Sequence, residues 1–131
     1  MLNTKKLLSL ILKKLYVKGS VTANTVTWTY RKYLDGTLEM WGTATTELAI
    51  NRAIRATASG PITFYQTPQD YYTVAMPSFV SSVDFFTAEL TGGGIADVIG
   101  MANPPTIRLY SPVSLGSTPR FLRYYLIGKW S

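Results

Sequence analysis

The 131-residue sequence contains no cysteine and no histidine. Without thiols the chain can form no disulfide, no thiolate metal site and no cysteine nucleophile. Without imidazole it lacks the commonest catalytic base and the commonest metal ligand. Acids are scarce as well, limited to Asp35, Glu39, Glu47, Asp70, Asp84, Glu89 and Asp97. Each stands alone, with no D-x-D or E-x-x-x-E cluster of the kind that would favour paired-carboxylate glycoside hydrolysis. No G-x-S-x-G, P-loop or metal-ligand spacing occurs, and Gly92-Gly93-Gly94 precedes neither a lysine nor a helical pattern. Nothing supplies a general base, so the expectation is a non-enzymatic protein that uses no cofactor and no metal.

Long hydrophobic runs are missing too. The leucine-rich N-terminal stretch, Leu7–Leu12, is interrupted by Ser9 and ended by Lys13-Lys14. It is too short for a membrane span. It is also shorter than a secretory h-region, and no small-residue cleavage site follows it. The net charge of +6 is concentrated rather than spread. Residues 1–18 carry Lys5, Lys6, Lys13, Lys14 and Lys18 with no acid, which leaves only +1 on the other 113 residues. A nearly neutral main domain has no basic face for nucleic acid, and none is expected as a partner.

What is present is apolar and aromatic: 47% hydrophobic residues, with nine Tyr, five Phe and three Trp. That is enough to build a core, and the aromatic and β-branched bias favours strands. Residues 4–17 nevertheless read as helix. Leu7, Leu8, Ile11, Leu12 and Leu15 share one side at 3.6-residue spacing, with Asn3 or Thr4 to cap the start and Gly19 to stop it. A helix this short is marginal alone, so its apolar side predicts a partner. Leu8, Ile11 and Leu15 fall at a, d, a spacing, which favours self-assembly or docking on another protein over an anionic membrane surface.

From Val21 the pattern turns to period two. Strands are predicted at Val26–Leu34, Thr37–Ala44, Glu47–Thr57, Ile62–Gln66, Tyr72–Met76, Ser82–Leu90, Ile95–Met101, Thr106–Tyr110 and Phe121–Trp130. Turn clusters separate them, among them Asp35-Gly36, Ser59-Gly60-Pro61 and Thr67-Pro68-Gln69-Asp70. The predicted fold is all-β, an antiparallel, jelly-roll-like sandwich over residues 20–131 behind an amphipathic assembly helix over 1–19. The hairpin register stays open. A two-residue turn would set Lys32 opposite Glu39 and Tyr30 opposite Trp41, whereas a three-residue turn with a bulge at Gly36 would set Arg31 opposite Glu39. Core packing is the expected role of Trp28, Trp41 and Trp130.

The segment Trp28-Thr29-Tyr30-Arg31-Lys32-Tyr33-Leu34-Asp35-Gly36-Thr37-Leu38-Glu39-Met40-Trp41-Gly42 resembles a stretch found in tail and minor structural proteins of phages and prophages of Gram-positive bacteria. Their pattern reads W-T-Y-R-K-W-x-x-G-x-x-E-C-W-G, so Tyr33 stands where Trp is usual and Met40 where Cys is frequent. The closing Tyr125-Leu126-Ile127-Gly128-Lys129-Trp130 is similar to their terminal Y-x-A-I-G-R-W. The resemblance implies a C-terminal-type β domain of a tail fibre or receptor-binding protein. It implies a homotrimer made in the host cytoplasm, carried on the virion tail with other tail proteins, and attached to host cell-surface saccharide. A purely structural collar, plug or fibre element is the alternative, and a glycan-cleaving tail enzyme a weaker one. Saccharide recognition needs planar hydrogen-bonding groups beside an aromatic platform. Gln69, Asp70, Tyr71 and Tyr72 supply both at the turn that leads into the predicted Tyr72–Met76 strand and are the candidate binding residues. Leu7, Leu8, Ile11, Leu12 and Leu15 are the candidate oligomerisation residues.

Overall fold

The computed structural model describes residues 3–56 and 62–130. Helix α1 (Thr4–Lys14) is followed by β1 (Tyr16–Ala23), β2 (Val26–Tyr33), β3 (Thr37–Thr46), β4 (Arg52–Ala56), β5 (Ile62–Gln66), β6 (Tyr72–Thr73), β7 (Ser82–Thr91), β8 (Ile95–Gly100), β9 (Thr106–Ser111) and β10 (Arg120–Lys129). The strands form two antiparallel sheets packed face to face, the expected sandwich. The larger sheet has the order β1-β2-β3-β10-β7, and the smaller runs β4-β5-β9-β6, with β8 also pairing β9.

The N-terminal segment departs from expectation. Asn3 caps α1 by accepting a hydrogen bond from the Lys5 N–H, but the helix ends at Lys14 and Leu15 is already extended. The predicted helix to residue 17 and boundary at Gly19 are therefore corrected: Gly19 lies inside a strand. The reason is pairing. Tyr16 to Ala23 run antiparallel to Tyr33 to Val26, closed by an Asn24-Thr25 turn. Asn24 takes the positive φ of 53° that this tight turn requires, a conformation Asn tolerates. Eight cross-strand partners outweigh one more helical turn with no neighbour to pack on.

Other strands sit close to their predicted spans, with two adjustments. Among the described residues of the predicted Glu47–Thr57 strand only Arg52–Ala56 pairs as a strand, and Ile50 instead makes an isolated bridge to Leu115. The strand at Tyr72–Met76 shortens to Tyr72–Thr73, because Val74 donates to Pro105 and the chain then leaves the sheet. The Ser59-Gly60-Pro61 turn lies outside the described residues.

The core is built by alternation. Val26, Trp28, Leu38, Met40, Phe86, Leu122, Tyr124 and Leu126 of the larger sheet face Ile107 and Leu109 of the smaller one and Val74 just past β6. Trp28, Gly42 and Tyr124 stand in one cross-strand row. The Trp28 ring lies over Gly42 so closely that a Cβ there would meet it at 2.7 Å. Tyr124 stacks between Trp28 and Phe86, at centroid distances of 5.8 Å and 5.6 Å. The Trp28 indole N–H donates to the Ala75 carbonyl across the sandwich, tying a core ring to the chain that follows β6.

Candidate functional site

The hairpin motif adopts the three-residue turn. Tyr33 and Gly36 close it (Gly36 N–H to Tyr33 carbonyl, 3.0 Å), Asp35 accepts from the Thr37 N–H, and Gly36 takes a φ of 95°. Arg31 is thereby set opposite Glu39 and Thr29 opposite Trp41. This register decides which aromatics are buried. Leu38, Met40 and Ala44 point into the core, and Trp41 points out, 36% exposed. Trp41 as a core residue is corrected on that ground. Trp28 is fully buried, and Trp130 is half-buried with its N–H on the Tyr33 carbonyl.

Trp41 joins a row of rings across the outer face of the larger sheet. Tyr33 lies 5.4 Å from Tyr16, and the Arg31 guanidinium sits 5.1 Å from Tyr16 and 5.3 Å from Trp41. Tyr125 then lies 5.8 Å from Trp41 and 6.5 Å from Phe85. The polar groups in this row are engaged with each other. Glu39 accepts from the Tyr125 hydroxyl at 2.6 Å and the Tyr33 hydroxyl at 3.4 Å, with Arg31 at 3.8 Å. The bond to Glu39 is the main reason the Tyr125 phenol is pushed up to about 12. The rings are tilted against one another by 51° to 68° along Trp41, Tyr125 and Phe85, so they do not form a flat sugar platform.

The loop carrying Gln69, Asp70, Tyr71 and Tyr72 is braced from two sides. Arg52 of β4 donates to the Thr67 carbonyl and the Gln66 amide oxygen, and pairs with the Asp70 carboxylate. Arg108 of β9 donates to the Asp70 carbonyl at 3.3 Å. Gln69 and Tyr71 are exposed, while Tyr72 packs against the core with its hydroxyl accepting from the Gln69 N–H. The structure therefore separates the four residues: Tyr72 and Asp70 hold the loop, and Tyr71 alone presents an unencumbered ring.

Beside this loop, the outer face of the smaller sheet forms a cleft of about 380 Å³. Its floor is Phe64 of β5, Ile95 of β8, Tyr110 of β9 and the following Pro112. Phe64 and Tyr110 meet edge to face at 6.5 Å and 76°. Gln66, Asp97 and Arg108 supply its polar rim. Asp97 and Arg108 are direct cross-strand partners, yet the ion pairs among the described residues are Arg31–Glu39 and Arg52–Asp70. A carboxylate acceptor and a guanidinium fork thus stand at the edge of an apolar floor without neutralising each other at contact distance. That arrangement can take hydrogen bonds in both directions around a ring with one apolar face.

Sequence reasoning missed these cleft residues. Their alternation is legible, since Ile95 and Asp97, and likewise Arg108 and Tyr110, share parity within their strands. No local signal says that β8 and β5 both flank β9 at Tyr110.

On α1, Leu7, Leu8, Leu10 and Ile11 are each more than 40% exposed, and so is Leu15, which lies just past the helix end and off its face. The Leu12 side chain lies outside the described set. No helix among the described residues is long and apolar enough to cross a membrane. Compared with known proteins, the chain matches no family model, no curated protein and no solved structure.

Proposed function

We propose that this chain is a non-enzymatic appendage protein of a phage tail or baseplate, trimeric through α1, that attaches the virion to host cell-surface saccharide. The observation that carries the reading is the outer cleft of the smaller sheet, where an apolar floor of Phe64, Ile95 and Tyr110 is rimmed by Asp97 and Arg108 with no ion pair between them. A pyranose ring has the matching chemistry: one face of C–H bonds for the floor, and hydroxyls that both donate and accept at the rim. The resemblance of residues 28–42 to phage tail proteins supports the setting. The proposed saccharide site moves accordingly from Gln69, Asp70, Tyr71 and Tyr72 to the cleft, which is linked to that loop through the Arg108 bond to the Asp70 carbonyl.

The test is attachment of purified protein to host cells or extracted cell-wall glycan. Asp97→Ala and Arg108→Ala should each weaken attachment with melting and oligomer content unchanged. Undiminished attachment in both variants would remove the cleft from consideration. The purely structural reading draws on a different observation, the aromatic row from Tyr16 to Phe85. Its Glu39 carboxylate is taken up by the Tyr125 and Tyr33 hydroxyls and Arg31, which suits contact with a neighbouring subunit better than contact with a sugar.

A further inference from the structure

At one end of the sandwich the sheets part around a second pocket, of about 250 Å³, facing inward rather than out. Its wall is core surface, including Val26, Ala44, Ile107 and Leu122. Its mouth carries exposed polar side chains, Asn24, Thr25, Thr45 and Thr73. Tyr124 also lines it. That residue is 6% exposed, and among the described residues its hydroxyl makes no hydrogen bond.

The side chain is held rigidly, since its ring is stacked on Trp28 and Phe86. The unpaired buried side-chain atoms sealed from solvent are Arg31 Nε and Arg120 Nε, so the Tyr124 oxygen keeps access to open space. A nearly buried phenol with no protein partner depends on whatever enters the pocket, and a ligand that supplies an acceptor gives it a hydrogen bond. Burial pushes this phenol up to about 12, so it is a donor throughout the physiological range.

The pocket is smaller than the roughly 300–1,000 Å³ sites that engulf a drug-sized ligand. It admits a substituent rather than a whole oligosaccharide. The substituent must combine an acceptor for the phenol with an apolar group for the wall, and its remaining donor must reach the threonine mouth. An acetamido group has all three: a carbonyl, a methyl and an N–H.

We propose that this inter-sheet pocket binds the acetamido group of an N-acetylated sugar, its carbonyl accepting from the Tyr124 hydroxyl and its methyl against Val26, Ala44 and Leu122. The proposal rests on the saccharide reading above but uses a different site. The hexose ring remains at the mouth, within reach of Asn24, Thr25 and Thr73.

Saturation-transfer NMR and calorimetry on the full chain test it, with N-acetylglucosamine and N-acetylgalactosamine set against glucose and galactose. The N-acetyl sugars should bind, with strongest saturation on the acetamido methyl. Tyr124→Phe keeps the ring stack and removes the donor, and should weaken binding roughly tenfold. Thr73→Tyr closes the exposed mouth without touching the core, and serves if the first variant melts early. Binding retained in both variants, or no preference for N-acetyl sugars, overturns the proposal. If binding is lost in Asp97→Ala and kept in Tyr124→Phe, the outer cleft is the site; the saccharide reading then stands and this inference fails. If Tyr124→Phe loses the N-acetyl sugar while cell attachment is untouched by either variant, the pocket stands and the attachment reading fails.

Discussion

Arg31 and Glu39 face each other across the β2–β3 hairpin, their side chains 3.8 Å apart, and this pairing places Trp41 on the outside of the molecule. The ion pair itself is partly exposed, and pairs of that kind contribute about 0–1 kcal/mol. Its importance is as a marker of register. A one-residue slip would carry Leu38 and Met40 to solvent and bring Glu39 and Trp41 inward.

The register depends on the turn, so Gly36→Val should destabilise the fold. Its φ of 95° is a conformation that a β-branched residue resists, at a cost of about 1–2 kcal/mol. Urea unfolding should show the midpoint falling with an unchanged slope. A midpoint equal to wild type would mean that the turn does not need its left-handed residue.

The two hairpin tryptophans should behave differently. Trp28→Ala removes a fully buried ring that stacks on Tyr124 and should cost roughly 3–5 kcal/mol. Trp41→Ala removes an outer ring in contact with Tyr125 and Arg31, and should cost only about 1 kcal/mol. Equal losses in thermal melts would contradict the observed orientation. Gly42→Ala should resemble the first case, because the added methyl collides with the immobile Trp28 ring.

Arg120 is a cation 2% exposed whose partners are backbone carbonyls. It donates to Leu48 at 2.8 Å and to Gly116 at 2.8 Å, joining the segment after β3 to the segment before β10. Arg120→Ala breaks both charge-assisted bonds and empties the buried guanidinium's place, and should cost about 2–5 kcal/mol. Arg120→Lys should recover little, since a single ammonium does not span both carbonyls as a planar fork does. Full recovery by lysine in chemical denaturation would show that charge, rather than the fork, matters.

Self-association should follow α1. The full chain is expected to scatter light as a trimer, and deletion of residues 1–14, which spares β1, should shift it towards monomer. Leu8→Asp with Ile11→Asp should do the same while β-sheet circular dichroism is kept, because both leucine-face residues are exposed in the isolated subunit. A full-length monomer at micromolar concentration would sink the assembly role.

Stability should fall in strong alkali. Tyr124 and Tyr125 are both pushed up to about 12, the first by burial and the second chiefly by its bond to Glu39. An unfolded tyrosine ionises near 10, so above that pH the unfolded chain binds fewer protons than the folded one. The stabilisation is fully present below about pH 10 and is lost as pH rises through about 12. Tyrosinate absorbance should show two late-titrating groups. Glu39→Gln should bring Tyr125 down and leave Tyr124 where it is.

Much of this architecture is local and therefore legible in the sequence. Period-two alternation and turn residues placed most of the later strands within a residue or two of their positions, Glu47–Thr57 and Tyr72–Met76 excepted, and the Asp35-Gly36 pair marked its hairpin. Those signals depend only on neighbours along the chain: side-chain direction alternates within a strand, and a positive φ selects glycine. What the sequence left undetermined needed partners distant along the chain. Tyr16–Ala23 becomes a strand because β2 is there to pair with it, and Trp41 is outside because the three-residue turn prevailed over a two-residue one that the same residues permit. Asp97 meets Arg108, and Tyr124 borders the inter-sheet pocket, only once the order of strands within each sheet is set. Local pattern fixes which residues share a face; sheet order and register decide which of them become neighbours, because hydrogen-bonded pairing and core burial are satisfied across the whole fold at once.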